Sequence, residues 1–422
     1  MNNSKMIPYG KQSISQQDID AVVAVLQSDF LTQGPQVPLF EKSLETITGA
    51  KHALAVNSAT SALHLACLAL GVGEGDLVWT TPITFVASAN CALYCGATVD
   101  FVDIDPQTYN LSPAALAQKL ADAKKNQSPL PKVVIPVHLC GQPCEMDKIY
   151  ALSQEYGFAI IEDASHAIGG RYQDQPIGNC KYSNITVFSF HPVKIVTTAE
   201  GGAATTNNAR LADKMALLRS HGVTRDPELM TEPSHGDWYY QQIALGYNYR
   251  MTDLQAALGV SQLTRLDDFV VRRRQLAARY DALLKDLPLL LPKQNCDAYS
   301  ARHLYVIRLQ LPEVTLPEFA LSELTLSALK VSALKVSDLK LSHKAIFNQL
   351  RQRGIGVNLH YIPVHTQPYY QALGFAWGDF PEAEHYYQQA ISLPLFPDMS
   401  IAQQDQVIAA LSEVLTSTST SV

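Results

Sequence analysis

Lys194 stands in the stretch Thr186–Gly202, which reads Thr-Val-Phe-Ser-Phe-His-Pro-Val-Lys-Ile-Val-Thr-Thr-Ala-Glu-Gly-Gly. It follows a strand-like run and has isoleucine, valine and threonine beside it rather than other charges. Desolvation lowers a lysine pKa, and a free amine can hold an aldehyde as a Schiff base and shuttle a proton. Thirty-one residues upstream, the apolar run Phe158–Ile161 leads through Glu162 to Asp163. An acid at the carboxyl end of a buried strand lies where α/β folds bind ligands, and it can keep a pyridine nitrogen protonated. His166, three residues on, is placed to meet the same ligand through hydrogen bonding or stacking. Asn57-Ser-Ala-Thr-Ser-Ala62 joins a predicted strand to a predicted helix, and the unpaired N–H groups of a helix start attract phosphate. Thr60 and Ser61 are the candidate donors there, with Ser189, five residues before Lys194, as a further one. Phe85, after Thr80-Thr-Pro-Ile-Thr84, offers a flat face at the start of a helix. A holding lysine, an acid for the ring nitrogen, a phosphate cup and a flat cover are what pyridoxal 5′-phosphate (PLP) requires of a protein.

The elements that must position these groups follow from hydrophobic periodicity. Ala53–Val56, Leu77–Thr80, Thr98–Val102, Val133–Val137 and Ala159–Glu162 are short apolar runs of the kind that form buried parallel strands. Ile185–Phe190 and Gly202–Thr206 continue the series, and Ala59–Leu70, Phe85–Cys95 and Met146–Tyr156 read as helices between strands. The alternation predicts an α/β domain with a mostly parallel central sheet. Leu254–Leu276 reads as a long helix leaving it. Beyond come a strand at Leu304–Leu309, a helix at Ser342–Arg353 and a strand at Val357–Tyr361, an α+β pattern. The division expected is a large domain over 1–262 and a small C-terminal domain over 263–422. A pentad repeat at 321–340 (Leu-Ser-Ala-Leu-Lys and variants) fits neither helix nor strand period and reads as an insertion. Gly71-Val-Gly-Glu-Gly75 follows a helix and precedes a strand, the reverse of a dinucleotide fingerprint, so it reads as a turn.

The 422 residues carry a formal charge of −7, which gives no broad footprint for nucleic acid or an anionic membrane. The first residues lack the apolar run of a secretory signal and no stretch is apolar enough to span a bilayer, so a cytoplasmic protein is expected. Seven cysteines without a dense framework read as reduced thiols. The Cys91/Cys95 and Cys140/Cys144 pairs share a spacing but find no set of further ligands, so no metal is expected and the cysteines read as buried small hydrophobes.

Five stretches together resemble one family. They are Asn57-Ser-Ala-Thr-Ser-Ala-Leu63, Thr80-Thr-Pro-Ile-Thr-Phe-Val-Ala87, Glu162-Asp-Ala-Ser-His-Ala-Ile-Gly169, Phe188–Gly202 and Gly246-Tyr-Asn-Tyr-Arg-Met251. In this order, over about residues 7–410, the chain resembles the DegT/DnrJ/EryC1/StrS sugar aminotransferases. The resemblance implies the type I aspartate-aminotransferase fold, PLP held by Lys194, Asp163 on its ring nitrogen, and His166 beside its oxygen. It implies phosphate contacts from Thr60, Ser61 and Ser189. It also implies that Asn248 reaches the phosphate of the neighbouring subunit, so that a homodimer with shared sites is the working unit. Relatives with histidine in place of the lysine are dehydratases, which Lys194 argues against. Within the family the wording is most similar to the transaminases of pseudaminic acid synthesis. That implies L-glutamate as amino donor and a UDP-linked 4-keto-6-deoxy-2-acetamido sugar (UDP-4-keto-6-deoxy-HexNAc) of L-arabino configuration as acceptor. A D-xylo epimer or GDP-4-keto-6-deoxymannose is the alternative. Arg250 is the candidate for a carboxylate or diphosphate contact, and Thr32, His360 and Tyr361 are candidates for the sugar side. A non-catalytic sensor on the same fold and a nicotinamide-dependent oxidoreductase are the rival classes. Lys194 with Asp163 argues against the first, and the lack of a strand–GxGxxG–helix unit against the second.

Overall fold

In a computed structural model the chain is described over residues 6–310 and 342–416, so the pentad segment at 321–340 lies outside the described residues. Seven strands form the central sheet: β1 (His52–Val56), β2 (Leu77–Thr80), β3 (Thr98–Phe101), β4 (Val133–Ile135), β5 (Ala159–Asp163), β6 (Ile185–Ser189) and β7 (Gly202–Thr206). Their spatial order is β1-β7-β6-β5-β4-β2-β3. All neighbouring pairs are parallel except those made by β7, which runs antiparallel to both β1 and β6. Six strands therefore share one direction and bring their carboxyl ends to one edge, where an α/β sheet binds its ligand. The fold is the α/β arrangement expected.

Two apolar layers cover the sheet. One joins Leu54, Val56, Val78, Ile135, Ile161 and Val187 to the helices Ala59–Ala69 and Ala87–Tyr94. The other joins Ala53, Trp79, Val134, Ile160 and Phe188 to the helices Gln36–Thr48 and Met146–Tyr156. Alternate strand residues feed opposite layers, as the pleat requires.

The helix expected over Leu254–Leu276 is two helices, Asp253–Leu263 and Leu266–Leu284, which meet at Thr264–Arg265. Thr252 and Gln255 form a capping box that starts the first. The second leads to a three-stranded antiparallel sheet of Leu289–Leu290, Tyr305–Leu309 and Ala390–Leu393. A third core cluster gathers Leu276, Tyr280, Ile307, Ile346, Leu350, Ile391 and Leu411 around it. Ile7 packs in this cluster and exchanges backbone hydrogen bonds with Gly354 (2.9 Å) and Gly356 (2.7 Å). The strand expected at Val357–Tyr361 does not form. That stretch makes one isolated bridge, Asn358 to Ser392, and its side chains turn to other work.

Candidate active site

The candidate phosphate cup lies where β1 ends. Ser58 caps the helix Ala59–Ala69, its hydroxyl accepting the Ser61 N–H at 3.1 Å. The Ser61 hydroxyl donates to Asn57 Oδ1 at 2.6 Å, so Ser61 and Asn57 hold the turn at a helix start, where the first N–H groups lack partners along the helix. Register carries the site across the sheet: Val56 pairs with Gly202, and Gly202 with Ser189. Ser189 thus lies two strands from the turn at the same level. Gly202 is pressed on the helix start, since a Cβ there would sit 2.4 Å from the Ala59 nitrogen. Glycine at this position lets the backbone of β7 approach the cup. The Arg250 backbone bridges to Val56, the Asn57 N–H donates to the Tyr249 carbonyl at 2.9 Å, and Asn57 Nδ2 donates to the Asn248 carbonyl at 3.3 Å. The segment Asn248–Arg250 therefore borders the same turn, with Asn248 exposed.

Asp163 closes β5 and is buried. Ser88 donates its hydroxyl to Asp163 Oδ2 at 2.6 Å and Ser165 its N–H to Oδ1 at 3.1 Å. Thr84, in the turn ahead of the helix, meets the Ser88 hydroxyl at 2.8 Å. The neighbouring Glu162 points to the other face. Burial pushes its carboxyl up, but hydrogen bonds from His138 (2.8 Å), Ser183 and Thr186 (3.1 Å) more than offset this and hold it below the ordinary carboxylate range. His138 also donates its backbone N–H to the Asp163 carbonyl at 3.0 Å, tying the strand end in place.

Lys194 is half-buried, in a turn just after β6. Burial lowers its ammonium to about 8, with the Asp163 carboxylate opposing the shift. Three imidazoles surround it, those of His166, His303 and His360, and burial keeps each below its ordinary pKa. For His360 the value falls to about 3. His166 Nδ1 accepts the Cys140 N–H at 3.3 Å, so the neutral ring carries its proton on Nε2, which faces the Tyr361 hydroxyl at 3.1 Å. The His303 ring lies 4.5 Å from the His166 ring. His360 is held by Ser392 at 2.8 Å, and the Tyr9 ring stands 5.2 Å from it. Phe85 is exposed, with its ring 6.3 Å from that of Tyr361. It lies two residues ahead of the helix Ala87–Tyr94 rather than within it, because the helix begins later than its apolar pattern implied.

Lys194, Asp163, His166, His360, Tyr361 and Phe85 are thus gathered in one region, and Thr60, Ser61, Ser189, Arg250 and Asn248 around the adjoining turn. Thr32 stands apart: its bridge is to Thr252, at the start of the helix Asp253–Leu263. Sequence reasoning missed Tyr9, Ser88 and His303. Ser88 is reached from Asp163 and from Thr84 in the turn before its helix, a juxtaposition that no local spacing signals. Tyr9 and His303 arrive through contacts between distant parts of the chain, which no local pattern announces. The site fits PLP. It combines a lysine with a depressed pKa, a carboxylate fixed by two donors, and a helix start onto which only a glycine strand can close.

Comparison with known proteins agrees. The chain is 40% identical over 412 residues to the Bacillus subtilis spore coat polysaccharide biosynthesis protein SpsC, covering 97% of each. Helicobacter pylori PseC, an aminotransferase involved in the biosynthesis of pseudoaminic acid, superposes with a TM-score of 0.82 at 31% identity, covering 98% of this chain and all of that one. The sugar aminotransferase Spr1654 of Streptococcus pneumoniae, solved in PLP and pyridoxamine phosphate forms, gives TM-scores of 0.81 and 0.82 at 28% and 29% identity, covering 98% of this chain and 99% of that one. Residues 12–412 match the DegT/DnrJ/EryC1/StrS aminotransferase family, and the chain belongs to this family of PLP-dependent sugar aminotransferases.

Proposed function

We propose that the protein moves the amino group of L-glutamate to C4 of a UDP-linked 4-keto-6-deoxy-2-acetamido sugar of L-arabino configuration, as in pseudaminic acid synthesis, in the cytoplasm. The observation that carries the reading is the full-length structural likeness to PseC. The residues of the site support the chemistry. Lys194 holds the cofactor, Asp163 faces its ring nitrogen, and Thr60, Ser61 and Ser189 with the helix start take its phosphate. When bound, PLP supplies an electron sink and carries nitrogen between the two half-reactions.

The chain's own residues do the rest. With its amine near 8, Lys194 has an accessible free base at neutral pH. Its Nζ takes the α-proton of L-glutamate in the first half and delivers a proton to the sugar C4 in the second, releasing 2-oxoglutarate between them. Ser88 holds Asp163 Oδ2 and aims the carboxylate. His166, neutral and fixed by the Cys140 N–H, presents Nε2–H as a donor. His360 and Tyr361 bound the sugar side, with Arg250 near the anionic groups; Thr32, bridged to Thr252 and apart from them, is the weakest of the sugar-side candidates. We propose further that the large domain spans 1–262 and the small one 263–422, and that the enzyme is a homodimer in which Asn248 completes the partner's phosphate site. The exposure of Asn248 supports the last, as do Trp238 and Leu245, 74% and 80% exposed on the loop before it.

The likeness to SpsC favours a second reading, a different nucleotide 4-keto sugar handled by the same chemistry. Glutamate-dependent turnover of the L-arabino and D-xylo epimers, with the amino sugar identified by NMR, separates them. Product from the L-arabino epimer alone is expected. Product from the D-xylo epimer alone keeps the mechanism and moves the acceptor, and product from neither removes both UDP sugars.

A further inference from the structure

The helix Ala59–Ala69 carries a histidine that the chemistry above does not use. His64 stands one turn on from Thr60, on the same face of that helix. It is buried, and its Nδ1 meets the Tyr249 hydroxyl at 3.1 Å. Its Nε2 is buried too and has no hydrogen-bond partner among the described residues. Three tyrosine rings surround it, Tyr247 at 4.9 Å between centroids, Tyr94 at 5.6 Å and Tyr249 at 6.0 Å. Tyr247 and Tyr249 flank Asn248. Their segment runs antiparallel to Leu218–His221. The Tyr247 N–H donates to the Leu218 carbonyl at 2.7 Å, the His221 N–H to the Tyr247 carbonyl at 2.9 Å and the Tyr249 N–H to the Arg219 carbonyl at 3.0 Å, with Ser220 opposite Asn248. Side chains on such a segment alternate between its two faces. The Tyr247 and Tyr249 rings lie on one face, stacked at 4.9 Å and 16°, and both pack against His64. Asn248 takes the other face, away from His64, and is exposed.

We propose that His64 is a positioning residue for the cofactor's phosphate: by holding Tyr249, and Tyr247 stacked on it, His64 fixes the face on which Asn248 is presented. The proposal rests on the reading that Asn248 contacts that phosphate. Backbone hydrogen bonds to Leu218–His221 and to Asn57 set the path of the segment. They do not set how its side chains are turned about that path, and the bond from His64 to the far end of a tyrosine ring does. Packing alone gives no reason for an imidazole here. With one nitrogen unpartnered, it costs more to bury among three tyrosines than a phenyl ring of similar size. What a phenyl ring cannot do is hold the Tyr249 hydroxyl. One helix then serves the phosphate twice. Its first turn forms the proposed cup, and its second turn orients the asparagine that the proposed homodimer offers to the other copy.

The test is PLP titration of the full-length apoenzyme by fluorescence, with melting curves alongside. Asn248→Ala is expected to weaken binding. His64→Phe and Tyr249→Phe each remove the same hydrogen bond and keep a ring in place. Each is expected to weaken binding by about three- to tenfold, the range of one buried hydrogen bond. The double variant is expected to match either single one, because there is one bond to lose. In the Asn248→Ala background, His64→Phe is expected to leave the affinity where Asn248→Ala put it. A role in packing the phosphate helix itself would instead multiply the two losses. Multiplied losses overturn the proposal alone. So does unchanged affinity in His64→Phe and Tyr249→Phe while Asn248→Ala binds more weakly. Unchanged affinity in Asn248→Ala overturns it together with the reading of Asn248 on which it rests. If His64→Phe fails to fold, Tyr249→Phe, at a half-buried position, decides by the same comparison with Asn248→Ala.

Discussion

Lys194 has to be a free amine to do its work, and its surroundings set the pH at which it is one. Burial lowers its ammonium from 10.5 to about 8. The rate at which apoenzyme captures PLP is therefore expected to rise with pH and level off above about 8, followed by absorbance of the bound cofactor. A plateau reached only near the ordinary lysine value would mean that the amine is solvated in solution. The same shift bears on apoenzyme stability. Between about 8 and 10.5 the unfolded chain binds the lysine proton and the folded chain does not, so this residue's contribution to stability rises with pH in that window. Lys194→Ala should lose near all turnover and leave no cofactor fixable by borohydride. Asp163 depends on Ser88 in turn. Removing a hydrogen bond to a buried carboxylate costs about 1.5–3 kcal/mol, so Ser88→Ala is expected to weaken PLP binding by roughly 10- to 100-fold in a fluorescence titration. Unchanged affinity would show that Ser165 alone aims the carboxylate.

At the scale of elements, the cup depends on how closely β7 approaches the helix start. Alanine at 202 would drive its Cβ to 2.4 Å from the Ala59 nitrogen and the Ser58 carbonyl carbon. Backbone on both sides leaves nothing flexible to yield. Gly202→Ala is expected to lower both Tm and PLP affinity, the latter by more than about tenfold, because the displaced turn is the proposed phosphate site. Retained affinity with a normal melting curve would mean the cup lies elsewhere. This element also shows what was legible in the sequence. Lys194 and Asp163 announce themselves because residue type and neighbours carry the chemistry locally, whereas the close approach that needs Gly202 shows only in the fold. The direction of β7 does not, since an apolar run of five residues reads the same parallel or antiparallel. The break at Thr264–Arg265 was hidden because the apolar stripe continues across it. Val357–Tyr361 looks like a strand by its apolar residues, yet His360 and Tyr361 are committed to Ser392 and His166, and the ladder stops at one bridge. His303 and Tyr9 came in from distant segments, and contacts across nearly the whole chain leave no periodic trace.

At the scale of the whole molecule, the proposed homodimer rests on Asn248 serving the phosphate site of the partner subunit. The Asn248 carbonyl touches its own chain's Asn57, while its exposed side chain and the apolar loop before it favour a second copy. Hybrid dimers discriminate between the two arrangements. Lys194→Ala homodimers should be inactive, and Asn248→Ala homodimers should bind PLP more weakly at every site. If Asn248 crosses to the partner, a dimer of one Lys194→Ala chain and one Asn248→Ala chain has one site with both defects and one with neither. Such a dimer should then show about half of parental turnover at saturating PLP, with parental affinity at the working site. If Asn248 serves its own chain, one site lacks the lysine and the other lacks the asparagine, and affinity at the working site stays at the level of the Asn248→Ala homodimer. The PLP concentration needed for half activity in differentially tagged, purified hybrids therefore reports the architecture directly, because the amplitude is the same in both cases and only the affinity differs.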